Sequence, residues 1–144
     1  MIEKDEYLEA KVMTAKPHQL HLMVVDASIQ HALRAKEGIE NENLEVSHLA
    51  LCDSRACIAE LIGGLREEEA PEIVGNMKDL LLFVFKKLTD ADTNLDSQAL
   101  DDAITILRQH QETWIELIES LPKEEPAENF QNESEPVPGM SWET

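Results

Sequence analysis

Histidine, cysteine and carboxylate side chains are the groups through which this 144-residue chain could do chemistry, and most of their spacings argue against it. Glu45-Val46-Ser47-His48 has the Glu-x-x-His form used by carboxylate-bridged di-iron bundles. Such a centre needs two of these motifs plus carboxylates on facing helices. Only one is present, near the start of a helical segment, so no metal is expected there. His18 and His21 share a helix face and read as surface and packing residues. His110 could be the nucleophile of a phosphotransfer bundle, but Leu107-Arg108-Gln109-His110-Gln111 lacks the His-x-x-Lys-Gly pattern of those modules. Cys52 and Cys57 fall on different faces of a helix, which makes a disulfide between them unfavourable. They read as small packed residues in a reducing compartment. Cys and His lack zinc-site spacing, and the five glycines form no phosphate-cradling loop. The expectation is a protein without catalytic residues, metal or cofactor: an interaction protein rather than an enzyme.

The elements that carry these residues are helical. Leu, Ile, Val and Ala are plentiful and aromatics make up only 4%. Five segments show helical periodicity. Residues 2–13 form a short amphipathic stretch, marginal by itself. Thr14 is placed to cap the next segment and Pro17 fits its first turn. In residues 17–41, Leu22, Val25, Ile29, Ala32 and Ile39 make one stripe, and Leu20, Val24, Ala27 and Ala35 an adjacent one. Together they are wider than a single core seam needs. Residues 44–65 carry Leu44, Leu51, Ile58, Leu61 and Leu65 on one side, and Asn41 and Asn43 are expected to end the helix before them. Residues 72–92, entered through Pro71, carry Ile73, Met77, Leu80, Leu81, Val84 and Leu88, with Leu82, Phe83 and Phe85 on the remaining faces. Residues 97–121, capped by Asp96, step through Leu100, Ile104, Leu107, Gln111, Trp114, Ile118 and Leu121. The predicted fold is all-α: an antiparallel four-helix bundle over residues 1–121, with 1–13 as an N-terminal cap helix. Residues 122–144 hold four of the six prolines and six glutamates against one lysine, and read as a disordered acidic tail.

The net charge of −18, from 12 basic and 30 acidic residues, excludes nucleic acid as a partner, because phosphate binding requires cations to displace counterions. It equally disfavours an anionic membrane surface. The longest apolar run, residues 80–85, is far short of a membrane span, so no membrane insertion is expected. The opening Ile-Glu-Lys-Asp-Glu has no signal-peptide core, and the expected location is cytoplasmic.

The order of several landmarks carries a family resemblance. Tyr7, Val12, Thr14-Ala15-Lys16-Pro17 and Leu20 open the chain. Val24-Val25-Asp26-Ala27-Ser28 stands where the family has Leu-Tyr-Asp-Gly-Ala, followed by Ala35. Asn76-Met77-Lys78-Asp79-Leu80-Leu81, Leu88, Ala91, Leu107-Arg108 and Trp114 complete the pattern. On these residues the chain resembles the flagellin-specific export chaperones, FliS. The resemblance implies a cytoplasmic bundle that binds the disordered C-terminal segment of flagellin and prevents premature polymerisation. It also implies help in delivery to the flagellar export gate, with the N-terminal arm able to cover part of the groove. The residues expected to meet the partner are Tyr7, Leu8 and Val12 of the arm and Leu22, Val25, Ile29, Leu82 and Phe85 of the bundle. The competing expectation is a helical adaptor or secretion chaperone for a different client.

Overall fold

A computed structural model of the chain describes residues 17–66, 68 and 70–120. The predicted arm, with Tyr7, Leu8 and Val12, the Thr14 cap and the acidic tail lie outside the described residues. The described residues form four helices: α1 (Pro17–Glu40), α2 (Leu44–Gly63), α3 (Pro71–Asn94) and α4 (Ser97–Ser120). They form an all-α bundle in which α1 packs on α2 and α4, and α3 packs on the same two. α1 and α3 therefore sit diagonally. Cross-helix pairs fix the directions. Ser28 meets Ser54 and Arg55 meets Asp92, while His21 meets His110 and Lys36 meets Asp101. Each neighbour runs antiparallel, as the short connections require.

The helix ends follow local chemistry. Asn43 caps α2, its Oδ1 accepting from the Val46 amide at 3.3 Å, so it opens α2 rather than closing α1. Asp96 Oδ1 accepts from the Ala99 amide at 3.1 Å, the cap expected from sequence. Pro71 occupies the first turn of α3, where its missing N–H is harmless. Glu42 and Leu95 take positive φ values of 57° and 52° in the two tightest turns, αL positions that non-glycine residues adopt at a modest cost.

The core is built from Leu51, Ile58, Leu81, Val84, Leu88, Leu100 and Leu107, with Val25 and several alanines between them. The α1–α2 contact is different: it is made of small residues. Ser28, Ala32, Ala35 and Gly38 face Ser47, Ala50 and Ser54, all buried. Ser54 Oγ donates to the Ser28 carbonyl at 2.9 Å, and Ser28 Oγ reaches the Ser54 carbonyl at 3.4 Å. The two hydroxyl oxygens are 2.9 Å apart. Each buried hydroxyl is thus satisfied by the opposite backbone, which only a close crossing allows. Such a bond contributes roughly 1 kcal/mol net, and an unpaired buried hydroxyl would cost more.

Two periodic residues depart from expectation. Leu44 and Ile73 are 51% and 67% exposed, because each lies in the first turn of its helix, beyond the reach of its neighbours.

Candidate partner-binding cleft

Burial is uneven along the bundle. Every buried residue of α1 lies at or beyond Val25, and those of α3 at or beyond Leu81. Those of α4 end at Leu107. With antiparallel neighbours, these limits meet at one end of the molecule. The first turns of α1 and the last turns of α4 keep apolar side chains there without closing a core over them.

A cleft of about 820 Å³ opens at this end. α1 forms its floor with Leu20, Leu22, Met23, Val24 and Ala27. Ala56 and Cys57 of α2 form one wall, Gln111 and Ile115 of α4 the other, and Asp26 and Glu60 add carboxylates. A smaller hollow of about 260 Å³, lined by Pro17, His21 and Leu65 among others, continues toward the start of α1. Burial, with Asp53 and Glu60 nearby, pushes the Cys57 thiol up, so it lines the wall as a neutral group. Its lining is mostly apolar, with Asp26, Glu60 and Gln111 as the polar side chains.

The seam beside it is an aromatic cluster. His21 Nε2 and His110 Nε2 are 2.9 Å apart, one ring donating to the other. His21 stacks at 4.2 Å on Trp114, whose Nε1 donates to the His18 carbonyl at 2.9 Å. Burial, reinforced by the charge that His110 would carry, lowers the His21 pKa to about 4, and burial lowers that of His110. Both rings are neutral at pH 7. Their Nε2 atoms bond to each other, and with Trp114 the cluster ties α1 to α4.

A sequence profile of the flagellar protein FliS family matches residues 2–121, most of the chain. The chain belongs to the FliS family. Among curated relatives, the flagellar secretion chaperone FliS of Salmonella typhimurium is 30% identical over 108 residues, spanning 74% of this chain and 80% of that one. The FliS of Vibrio cholerae is 26% identical over 107 residues, covering 74% of this chain and 79% of its own length. FliSB of Pseudomonas aeruginosa is 26% identical over 111 residues, covering 74% and 85%.

Within this FliS-family bundle, the residues expected to meet a partner are dispersed. Leu22 lines the cleft. Val25 and Ile29 are 0% and 3% exposed, in the core beneath it, and present no surface to a partner. Leu82 is 48% exposed on α3 next to Phe83, while Phe85 packs partly against the core. Leu82 lies on α3, diagonal to α1, and is not among the residues that line the cleft with Leu22. The apolar stripe of Leu20, Val24 and Ala27 was the signal for the cleft floor. Periodicity identified that surface as surplus without showing which stripe turns inward. Met23, Cys57 and Ile115 carried no such signal, since their part in the cleft depends on three helices meeting.

Proposed function

We propose that this FliS-family protein is a cytoplasmic flagellar export chaperone whose open end takes up an amphipathic helix from the disordered C-terminal segment of flagellin. Seating that segment keeps it from polymerising early and holds it for delivery to the export gate. The observation that carries this reading is the apolar cleft at the under-buried end of the bundle, in a chain whose relatives are named flagellar secretion chaperones. Burial of a client helix there would recover roughly 25 cal/mol for each Å² of apolar surface, offsetting the cost of ordering a flexible segment. Among the described residues, no helix is long and apolar enough to cross a membrane.

Calorimetry of the full chain with a peptide of the last 40 or so residues (about that length forms several helical turns) of the cognate flagellin tests this. Leu22→Asp should weaken binding about tenfold, because one large apolar contact is worth over 1 kcal/mol, with the circular dichroism unchanged. Removing residues 1–13 should leave affinity equal or higher, as the arm is proposed to cover the groove. Equal binding by Leu22→Asp, or by an unrelated amphipathic peptide, would move the client elsewhere and favour a general helical adaptor.

A further inference from the structure

On the α2–α3 seam, away from the cleft, four polar side chains close a ring. Asp92 accepts from His48 Nδ1 at 2.9 and 3.0 Å and from Arg55 Nη2 at 2.8 Å. Arg55 is fixed from behind, its Nη1 donating to the Leu88 carbonyl at 3.3 Å. The second imidazole nitrogen of His48 faces Cys52 Sγ at 3.6 Å, and Arg55 Nη2 lies 3.6 Å from the same sulfur. Asp92 and Arg55 are largely covered, with side chains 15% and 17% exposed, whereas His48 is 58% exposed. The ring therefore has a rigid back and an open front.

The arrangement decides the tautomer. A carboxylate facing Nδ1 holds the proton there, which leaves the Nε2 lone pair directed at Cys52. A tetrahedral zinc ion, roughly 2.0–2.1 Å from imidazole nitrogen and roughly 2.3 Å from thiolate sulfur, spans a nitrogen–sulfur separation of about 3.6 Å. That is the separation found here. The carboxylate behind the imidazole is the orienting partner that histidine ligands ordinarily have. Among the described residues, His48, Cys52 and Asp92 are the three donors whose ligand atoms gather within 4.8 Å.

We infer that His48 Nε2 and Cys52 Sγ form a surface site for a thiophilic divalent cation of the zinc class, with Asp92 as the positioning carboxylate. On binding, the Cys52 S–H bond breaks, its proton passes to solvent and a sulfur–metal bond forms, with no change of oxidation state. Water, or a donor from another molecule, completes the coordination. The Arg55 guanidinium opposes any cation there, so only an ion that bonds strongly to sulfur and imidazole can bind, and magnesium and calcium, which prefer oxygen ligands, are disfavoured. Spacing along the sequence pairs His48 only with Glu45, and sets Cys52 and Cys57 on different faces, so neither pair makes a site. The pair that shares a face is His48 with Cys52, four apart on the helix, completed by Asp92 from α3.

Cobalt(II) titration of the untagged full chain, in a non-chelating reductant, tests the site. One equivalent should produce a thiolate-to-cobalt charge-transfer band that zinc abolishes by displacement. Cys52→Ser should lose the band and Cys57→Ser keep it. Asp92→Asn should weaken binding roughly ten- to a hundredfold, as loss of a carboxylate behind a histidine ligand does, with circular dichroism confirming the fold of each variant. On the wild-type chain, which avoids any folding question, zinc should slow alkylation of Cys52 by iodoacetamide and leave Cys57 unaffected. No band in the wild type, a band surviving in Cys52→Ser, or zinc protection that does not distinguish the two cysteines would overturn the assignment.

Discussion

Gly38→Ala is expected to destabilise the protein by about 2 kcal/mol, an overpacking cost, although alanine is the better helix former. The two effects oppose each other. In an open helix position, alanine gains up to roughly 1 kcal/mol over glycine. At Gly38 a Cβ would stand 2.9 Å from the Ser47 amide nitrogen, 3.1 Å from the Asn43 carbonyl oxygen and 3.2 Å from Ser47 Cα. All three are backbone atoms, and the Ser47 amide donates to the Asn43 carbonyl at 3.1 Å in the first turn of α2. Relief would require α1 and α2 to separate, loosening the reciprocal Ser28–Ser54 bonds along the same seam. A loss of about 2 kcal/mol lowers the melting temperature of a domain of this size by roughly 8 °C. Gly75→Ala supplies the control, because nothing lies within 4 Å of its would-be Cβ, and it should raise the melting temperature slightly. If both substitutions stabilise, the α1–α2 seam is wider than described.

The second large effect is expected with pH. His21 is held neutral, its pKa lowered to about 4, and that of His110 is lowered in the same direction. Both therefore bind protons more readily in the unfolded chain, where a histidine titrates near 6.5. Stability is then complete above about pH 6.5 and falls as pH drops toward 4, the unfolded state taking up the extra protons. Since the rings are partly open to solvent, the full shift overstates the effect, and roughly 2 kcal/mol across that window is expected. The melting temperature should fall by roughly 7 °C between pH 7 and pH 4.5. The protein's isoelectric point is about 4.5, so dilute samples are needed to keep association from masking the transition. His21→Gln/His110→Gln should flatten the dependence. Trp114, stacked on His21, should report the same midpoint by fluorescence. A dependence unchanged in the double variant would place the titrating groups elsewhere.

Much of this molecule was legible in one dimension. The four helical segments that follow Pro17, the Asp96 cap, the role of Pro71 and the buried steps Leu81–Val84–Leu88 and Leu100–Ile104–Leu107 agree with the structure to within a few residues. These are local quantities: a 3.6-residue period and the hydrogen-bonding needs of a helix end depend on near neighbours in sequence. The order of landmarks from Tyr7 to Trp114 also carried the family, which the profile match bears out.

The site was less legible. Val25 and Leu22 belong to the same predicted stripe, yet the structure buries one and leaves the other in the cleft. The wide apolar surface of α1 offers two stripes, and only the positions of α2 and α4 decide which one is covered. The same holds for each polar cluster. Ser28 with Ser54, His48 with Asp92 and His21 with His110 are 26, 44 and 89 residues apart. Composition and periodicity determined that this chain is an acidic helical bundle with apolar surface to spare. Tertiary packing alone decided where that surface lies and which histidines, cysteines and carboxylates meet, because those outcomes depend on how closely and at what register separate helices cross.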